Sequence, residues 1–510
     1  MHQALVIDEI VQVVFDFCLD FGSDTLTRVA RTCKAWRDPA LDRLWYRLID
    51  VTPLLQLVPG IIRVNGVYVF ESPVSPDLSS LRFYAPRVKH IVHRRNLQLH
   101  PHMSSIIAGS VDGMFTGLTT VQLALLNCHS VCPILGPGTM LKKLDLDLSF
   151  HPGVFDSSNK TTCDYLSNLP RLETLSLRGL ASENLNRTIS VTSHLQSISL
   201  RLSTSLNADT IIAISRFPAL VELEFHAPHI RVADLAEKWS SVGSGVCFPS
   251  LRSLNIRAST SLVGELLQNM HSIKLHTIYL DVEPVAQTDE AWIDLFNIMK
   301  DKTPNLHDFT IDHHVDTDTP GSDSDTGLPI NDLGNDHPIS HSNGFENLLR
   351  FQLIYPLFAL RKLQRIVFDT TPPILVHDED LEKLGSQLPQ LTHLDLGAVP
   401  TVDPRWVPKA TLKGLYLFSQ KSSNLKDLII PIDLSTSSRP DELLKTFTTT
   451  HDTLRNINIS TLTPPDPTSM ARFLASLFPC LEHADGVADH FDEWQHIQTS
   501  IRGIKGASES

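Results

Sequence analysis

Leu172–Leu177 reads LETLSL, and the phrase Leu-x-x-Leu-x-Leu returns along most of the chain. It stands as LTTVQL at Leu118, LKKLDL at Leu141, LQSISL at Leu195, LVELEF at Leu220, LRSLNI at Leu251, LHTIYL at Leu275 and LHDFTI at Leu306. It resumes as LQRIVF at Leu363, LTHLDL at Leu391, LKDLII at Leu425 and LRNINI at Leu454, with degraded copies VKHIVH at Val88 and LEHADG at Leu481. Spacings from Leu118 to Leu306 run 23, 31, 23, 25, 31, 24 and 31 residues. After a long gap to Leu363 they are 28, 34, 29 and 27. A self-similar period in this range is the signature of a stacked repeat.

The last Leu-x-Leu alternates with period two, so each phrase predicts a short strand with one face inward. The residues between phrases must return the chain. ASENLNRTIS and DEAWIDLFNIMKDK have helical composition, and Leu169-Pro170, Phe217-Pro218, Phe248-Pro249 and Leu388-Pro389 mark helix exits. LKGLYL at Leu412 lies only 13 residues before Leu425 and reads as a helix instead. One copy cannot bury its own leucines, so neighbours must stack. The expected fold is an α/β solenoid, a curved array over residues 86–485 whose parallel strands, about 4.8 Å apart, would span an arc of roughly 55 Å.

Outward strand positions then form a polar shelf suited to one protein surface. Substrate-binding candidates on it are Lys143, Asp145, Arg178, Arg201, Glu224, Arg257, Tyr279, Asp281, Arg365 and His393, with Asp147, Glu222, His226, Asn255, Asp369 and Asp395 alongside.

The first 48 residues have a different texture. Ile7, Ile10, Val11, Val14 and Cys18 recur at helical spacing, with Phe15 and Phe17 widening the stripe. Gly22 and Ser23 break that helix. Leu26, Val29, Cys33 and Trp36 predict a second helix. Asp38-Pro39 fits the N-cap and first position of a third, carrying Leu41, Leu44, Trp45 and Leu48. Phe15, Trp36 and Trp45 are too bulky for so small a unit to cover, so their apolar face is expected to meet a partner and the first repeat.

This stretch resembles an F-box, the adaptor-docking motif of modular ubiquitin ligases. The matching residues are Glu9-Ile10, Val14-Phe15, Leu26, Val29, Cys33-Lys34-Ala35-Trp36 and Leu44-Trp45; Val6-Ile7 stands in place of the family's Leu-Pro, and Lys34 in place of its Arg. The repeats are similar to the irregular leucine-rich repeats of F-box proteins, including large fungal families. The resemblance implies a three-helix F-box (1–48) that binds a Skp-type adaptor and its cullin complex through Leu5, Ile10, Val14, Phe15, Leu26, Val29, Cys33, Trp36, Leu44 and Trp45. A linker or first return segment (49–85), the repeat array and a C-terminal cap or tail (486–510) complete the organisation. The implied function is the substrate-recognition subunit of a Skp-cullin-F-box type ligase in the ubiquitin-conjugation pathway. Such a receptor is itself non-catalytic and acts by proximity on a protein substrate the sequence does not identify. The alternative is a repeat scaffold without a degradation role.

Composition narrows the remaining classes. The 510 residues carry a formal charge of -14, which argues against nucleic acid or anionic membrane as partner. No apolar run reaches the ~18 residues of a membrane helix. MHQALVIDEIVQVV has no basic region of a secretory signal, and seven cysteines form no disulfide framework. A cytoplasmic or nuclear location is expected. Residues 312–344 carry seven aspartates and no Lys or Arg, the composition of an acidic disordered insertion. A calcium loop there fails because Gly327 occupies the position of the bidentate Glu.

His313, His314 and His337, weighed against donors to a stray metal, read as solvated loop histidines. Cys128-His129-x-x-Cys132 is half of a zinc motif and reads as repeat core. Arg82, Arg87, Lys89, Arg94 and Arg95 form a small basic cluster, read as a solvated face or a docking point for an acidic or phosphorylated segment. No phosphate loop, H-E-x-x-H or G-x-S-x-G occurs. No catalytic residue, cofactor or metal is expected.

Overall fold

A computed structural model describes residues 7–71, 77–95, 97–100, 102–103, 106, 113–124, 135, 140–148, 150, 155–242, 246–271, 273–285, 287–314, 349–371, 374–397, 407–435, 440–445 and 449–508. Leu5, the Cys128–Cys132 motif and all but the first three residues of the acidic insertion lie outside them. The chain divides into two compact units, Met1–Ser250 and Leu251–Ser510.

The first unit opens with three helices, α1 (Asp8–Asp20), α2 (Ser23–Val29) and α3 (Lys34–Trp45). The sequence reading placed the start of α3 at Asp38-Pro39; the helix instead begins at Lys34, with Cys33 extended before it and Pro39 inside it. At the end of α2 the Thr32 N–H and hydroxyl both donate to the Val29 carbonyl, at 3.0 and 2.7 Å, closing a turn before the extended Cys33. The Asp38 side chain faces another way and accepts from Arg87.

Directly after α3, β1 (Arg47–Leu48) pairs in parallel with β4 (His90–His93). Between them lies the segment expected as a linker or first return, and it is built structure: α4 (Thr52–Gln56), a hairpin of β2 (Ile61–Val64) and β3 (Val67–Phe70), and α5 (Ser79–Tyr84). The hairpin turns on Asn65-Gly66, with φ of 50° and 88°. Positive φ at both turn positions is the two-residue turn that Asn-Gly favours between β-branched strands. β5 (Gln98–Leu99) joins β3 in parallel to complete this small sheet.

The rest of the unit alternates strand and return. β4 is followed by β6 (Thr120–Leu123), β7 (Lys143–Asp147), β8 (Thr174–Arg178), β9 (Ser197–Arg201) and β10 (Glu222–His226), each parallel to the one before. Helices α6 (Phe155–Leu166), α7 (Glu183–Val191), α8 (Ala208–Ser215) and α9 (Val232–Val242) occupy the returns. In the second unit β11 (Ser253–Ala258), β12 (Thr277–Val282), β13 (Asp308–His314), β14 (Arg365–Thr371), β15 (His393–Asp395), β16 (Asp427–Pro431), β17 (Asn456–Ser460) and β18 (His483–Gly486) pair in parallel in that order. Its returns include α10 (Thr260–Gln268), α11 (Asp289–Lys302), α12 (Asp378–Gln387), α13 (Leu412–Ser419), α14 (Pro440–Leu444) and α15 (Pro467–Leu477). LKGLYL is thus a helix, as its spacing predicts.

The repeated phrase works as its period requires. Its first leucine is interior in every full copy, Leu118 through Leu454. The fourth and sixth positions, such as Leu144 with Leu146 and Leu254 with Ile256, are interior as well. Side-chain caps start the return helices: Ser182, Asn207, Ser259, Thr288, Thr411 and Asp466 each accept a backbone N–H of the first turn. Aromatic residues pack together in the interior of the second unit. Phe296, Phe309 and Phe368 meet edge to face, with centroids 6.2 and 6.0 Å apart.

β18 leaves a strand edge to protect. The last helix, α16 (Phe491–Ser508), does this with Gln498, which accepts from the Ala484 N–H at 2.7 Å and donates to the Glu482 carbonyl at 2.8 Å. Buried Trp494 of the same helix packs on Gly486, where a Cβ would overlap the indole. Gly486→Ala is therefore expected to destabilise the chain by about 1–3 kcal/mol through overpacking. A lowered urea midpoint checks this; an unchanged one would mean that α16 does not seal the edge.

Candidate functional site

The helices α1, α2 and α3 share one small core of Val11, Phe15, Leu26 and Ala40, with Cys18, Val29, Trp36 and Leu44 packed at its margin. Phe15 is 2 % exposed and meets the Trp36 ring edge to face at 6.1 Å. Trp45 stacks on Tyr84 of α5 at 4.7 Å. Phe15 corrects the expectation that Phe15, Trp36 and Trp45 exceed what the unit can cover, whereas Trp36 stays partly open and Trp45 meets the chain beyond the three helices. Phe15 and Leu26 are interior, and Trp45 is covered on one face by Tyr84. Val29, Cys33, Trp36, Leu44 and Trp45 are partly buried, while Ile10 and Val14 stand outside.

The exposed apolar surface lies one step around α1. Ile10, Val13, Val14, Phe17 and, just past the helix end, Phe21 are 40, 56, 39, 63 and 85 % exposed. At about 100° per residue these positions fall in one sector roughly 100° wide. Val11, Phe15 and Cys18 point into the core beside it. Both stripes are apolar, so periodicity alone does not separate them; Phe17 is legible as part of the apolar stripe but not as an adaptor contact, and Val13 and Phe21 carry no separate signal. An exposed apolar sector of this kind is the type of surface on which proteins dock.

The helical unit is fixed to the strands that follow it. Arg87, just after α5, donates to Asp38 Oδ1 at 2.8 Å and to Asp42, and its guanidinium covers the Phe83 ring at 4.9 Å. The Tyr46 carbonyl accepts from the Lys89 and His90 N–H groups, each at 3.0 Å. The basic cluster is thus divided: Arg87 is consumed in this joint, and Arg95 lies 3.8 Å from Asp50.

Residues 8–50 match the F-box-like family. The F-box-like region therefore coincides with α1, α2, α3 and β1, and its outer face is the Ile10–Phe21 stripe. No curated protein matches the chain. No helix among the described residues is long and apolar enough to cross a membrane.

The ten substrate-face candidates all project outward from strands, at half-buried or exposed positions. In the first unit Lys143 and Asp145 line a groove with Arg47, His90, Thr120 and Gln122. Arg178 covers the Phe150 ring at 5.8 Å, and Arg201 Nε donates to Glu224 at 2.7 Å. In the second unit Arg257 lies 3.6 Å from Asp281, and Arg365 Nη1 donates to Thr310 Oγ1 at 3.1 Å. His393 lies 3.7 Å from Asp427. Tyr279 donates to Asp312 at 3.0 Å, and burial together with that carboxylate pushes its phenol up to about 12. Burial also raises Asp281, opposed by Arg257 and reinforced by Asp312. Burial raises Asp395 as well. Most of these groups therefore already hold one another in place, which makes the face a fixed pattern of charge.

Asp312, His313 and His314 were read as the start of the acidic insertion. They are the last residues of β13, paired with Asp369, Thr370 and Thr371 of β14. His313 points into the core against Trp292, where burial lowers its pKa, and His314 points outward. The signal was present, since Phe309, Ile311 and His313 continue the period-two alternation.

Proposed function

We propose that the chain is the substrate-recognition subunit of a Skp-cullin-F-box type ubiquitin ligase, itself non-catalytic. Its α1 stripe docks the Skp-type adaptor, and its strand array, read as irregular leucine-rich repeats forming a solenoid, holds a protein substrate. The observation that carries this reading is the exposed Ile10, Val13, Val14, Phe17 and Phe21 stripe inside the region that matches the F-box-like family. The joint through Arg87 and β1 supports it further, because it ties the docking helices directly to the first strands of the array. The parallel strands with their outward polar rows suit recognition of a folded or extended protein segment.

The test is reconstitution of ubiquitination with a substrate captured by the full chain. Val14→Asp/Phe17→Asp is expected to retain substrate binding and to lose substrate ubiquitination. The point variants are preferred to deletion of the helices, which would uncover β4 and Tyr84. Undiminished ubiquitination by the folded double variant would exclude this division of labour.

A further inference from the structure

We propose that Asp312, His314 and Asp369, at the ends of β13 and β14, form a three-ligand site for a divalent transition cation of the zinc type. One donor atom from each residue lies within 4.8 Å of the other two. His314 Nε2 is 3.1 Å from Asp312 Oδ1 and 3.4 Å from Asp369 Oδ1. Ligand atoms bound at about 2.0–2.1 Å to one ion stand roughly 3.0–3.4 Å apart in octahedral or tetrahedral geometry, so the two separations from His314 need little adjustment.

Surrounding groups hold two of the three ligands, His314 and Asp312, by the atom that does not face the shared point. His314 Nδ1 is 2.7 Å from Thr371 Oγ1, which leaves Nε2 as the ligating nitrogen. Tyr279 donates to Asp312 Oδ2 at 3.0 Å, which leaves Oδ1 toward His314. Outer hydrogen bonds of this kind fix the tautomer and direction of metal-binding side chains.

Charge points the same way. Register places Arg257, Asp281, Asp312 and Asp369 side by side on successive strands. Like charges opposite one another across strands are destabilising. Arg257 serves Asp281 at one end of the row, and the Asp312–Asp369 end is where a cation would relieve the repulsion. One imidazole and two carboxylates suit zinc, cobalt or manganese; calcium takes six to eight oxygens and has too few here. The side chains of Asp312, His314 and Asp369 are 29, 52 and 65 % exposed, so an ion reaches the site from solvent and keeps open positions for water or for a group on a bound protein.

The competing arrangement needs no metal: protonated His314 bridges both carboxylates as their counter-ion. Titration of the chelator-treated full chain with Zn²⁺ by calorimetry, and with Co²⁺ by visible absorption, separates the two. The chain has 23 histidines, so the comparison with variants decides. The proposal expects one equivalent that weakens at least tenfold in both His314→Ala and Asp369→Asn, with loss of the matching Co²⁺ bands, and about tenfold in Thr371→Val. Both ligand side chains are exposed, so the first two variants should keep the wild-type circular dichroism, and either one alone suffices if the other misfolds. Equal stoichiometry and affinity in wild type and a folded ligand variant would overturn the site and leave His314 as a counter-ion.

Discussion

Phe17→Ala is expected to weaken binding of a Skp-type adaptor by roughly 30- to 1000-fold while leaving the protein folded. Phe15→Ala, two residues away, is expected to unfold the helical unit. Phe17 is 63 % exposed at the centre of the α1 stripe, and Phe15 is 2 % exposed beneath it. Truncating an aromatic anchor at the middle of an interface costs about 2–4 kcal/mol, and each 1.4 kcal/mol is about tenfold in affinity. Removing a buried Phe instead costs about 3–5 kcal/mol of stability through lost burial and the cavity left behind. In a unit with so few core residues that loss is not shared. Adaptor affinity measured together with helix content distinguishes the two effects, and Lys300→Ala on α11 serves as a neutral control. Normal adaptor binding by Phe17→Ala would remove the stripe from the interface.

Phe309→Ala carries the second large effect. Its ring is fully buried between Phe296 and Phe368, and the three rings join α11, β13 and β14. Truncation is expected to cost about 3–5 kcal/mol. The same strands carry Asp312, His314 and Asp369 on their other face, so the loss should also loosen the acidic row. Urea unfolding of the variant measures the cost, and Phe309→Leu, which keeps much of the volume, should lose considerably less. A shift below about 0.5 kcal/mol for the alanine variant would mean that the ring stack is not a keystone of the second unit.

The repeat was legible in the sequence because its first, fourth and sixth positions are all inward, so each copy states its register in apolar residues. The F-box-like helices were legible as a set of anchors, but their faces were not. Val11, Phe15 and Cys18 form one apolar stripe of α1, and Ile10, Val13, Val14 and Phe17 form another beside it. Which stripe turns inward is decided by α2 and α3, through Leu26 and Ala40, and not by α1. The Asn65-Gly66 hairpin had a clear local signal in IIRVNGVYVF, hidden by treating its surroundings only as a linker or first return.

The acidic row escaped for a different reason. Asp312 and Asp369 are 57 residues apart, and only the β13–β14 register brings them together. The aspartate-rich run that follows also drew Asp312–His314 into the insertion, although their alternation belongs to the strand.

Calorimetric titration of the full chain with a purified Skp-type adaptor tests the central claim most directly. The account predicts a complex of micromolar affinity or tighter, about -8 kcal/mol or more favourable, lost in Val14→Asp/Phe17→Asp. Absence of micromolar binding to any Skp-type adaptor by the folded wild-type chain would contradict it, leaving the N-terminal helices as a cap on the strands that follow.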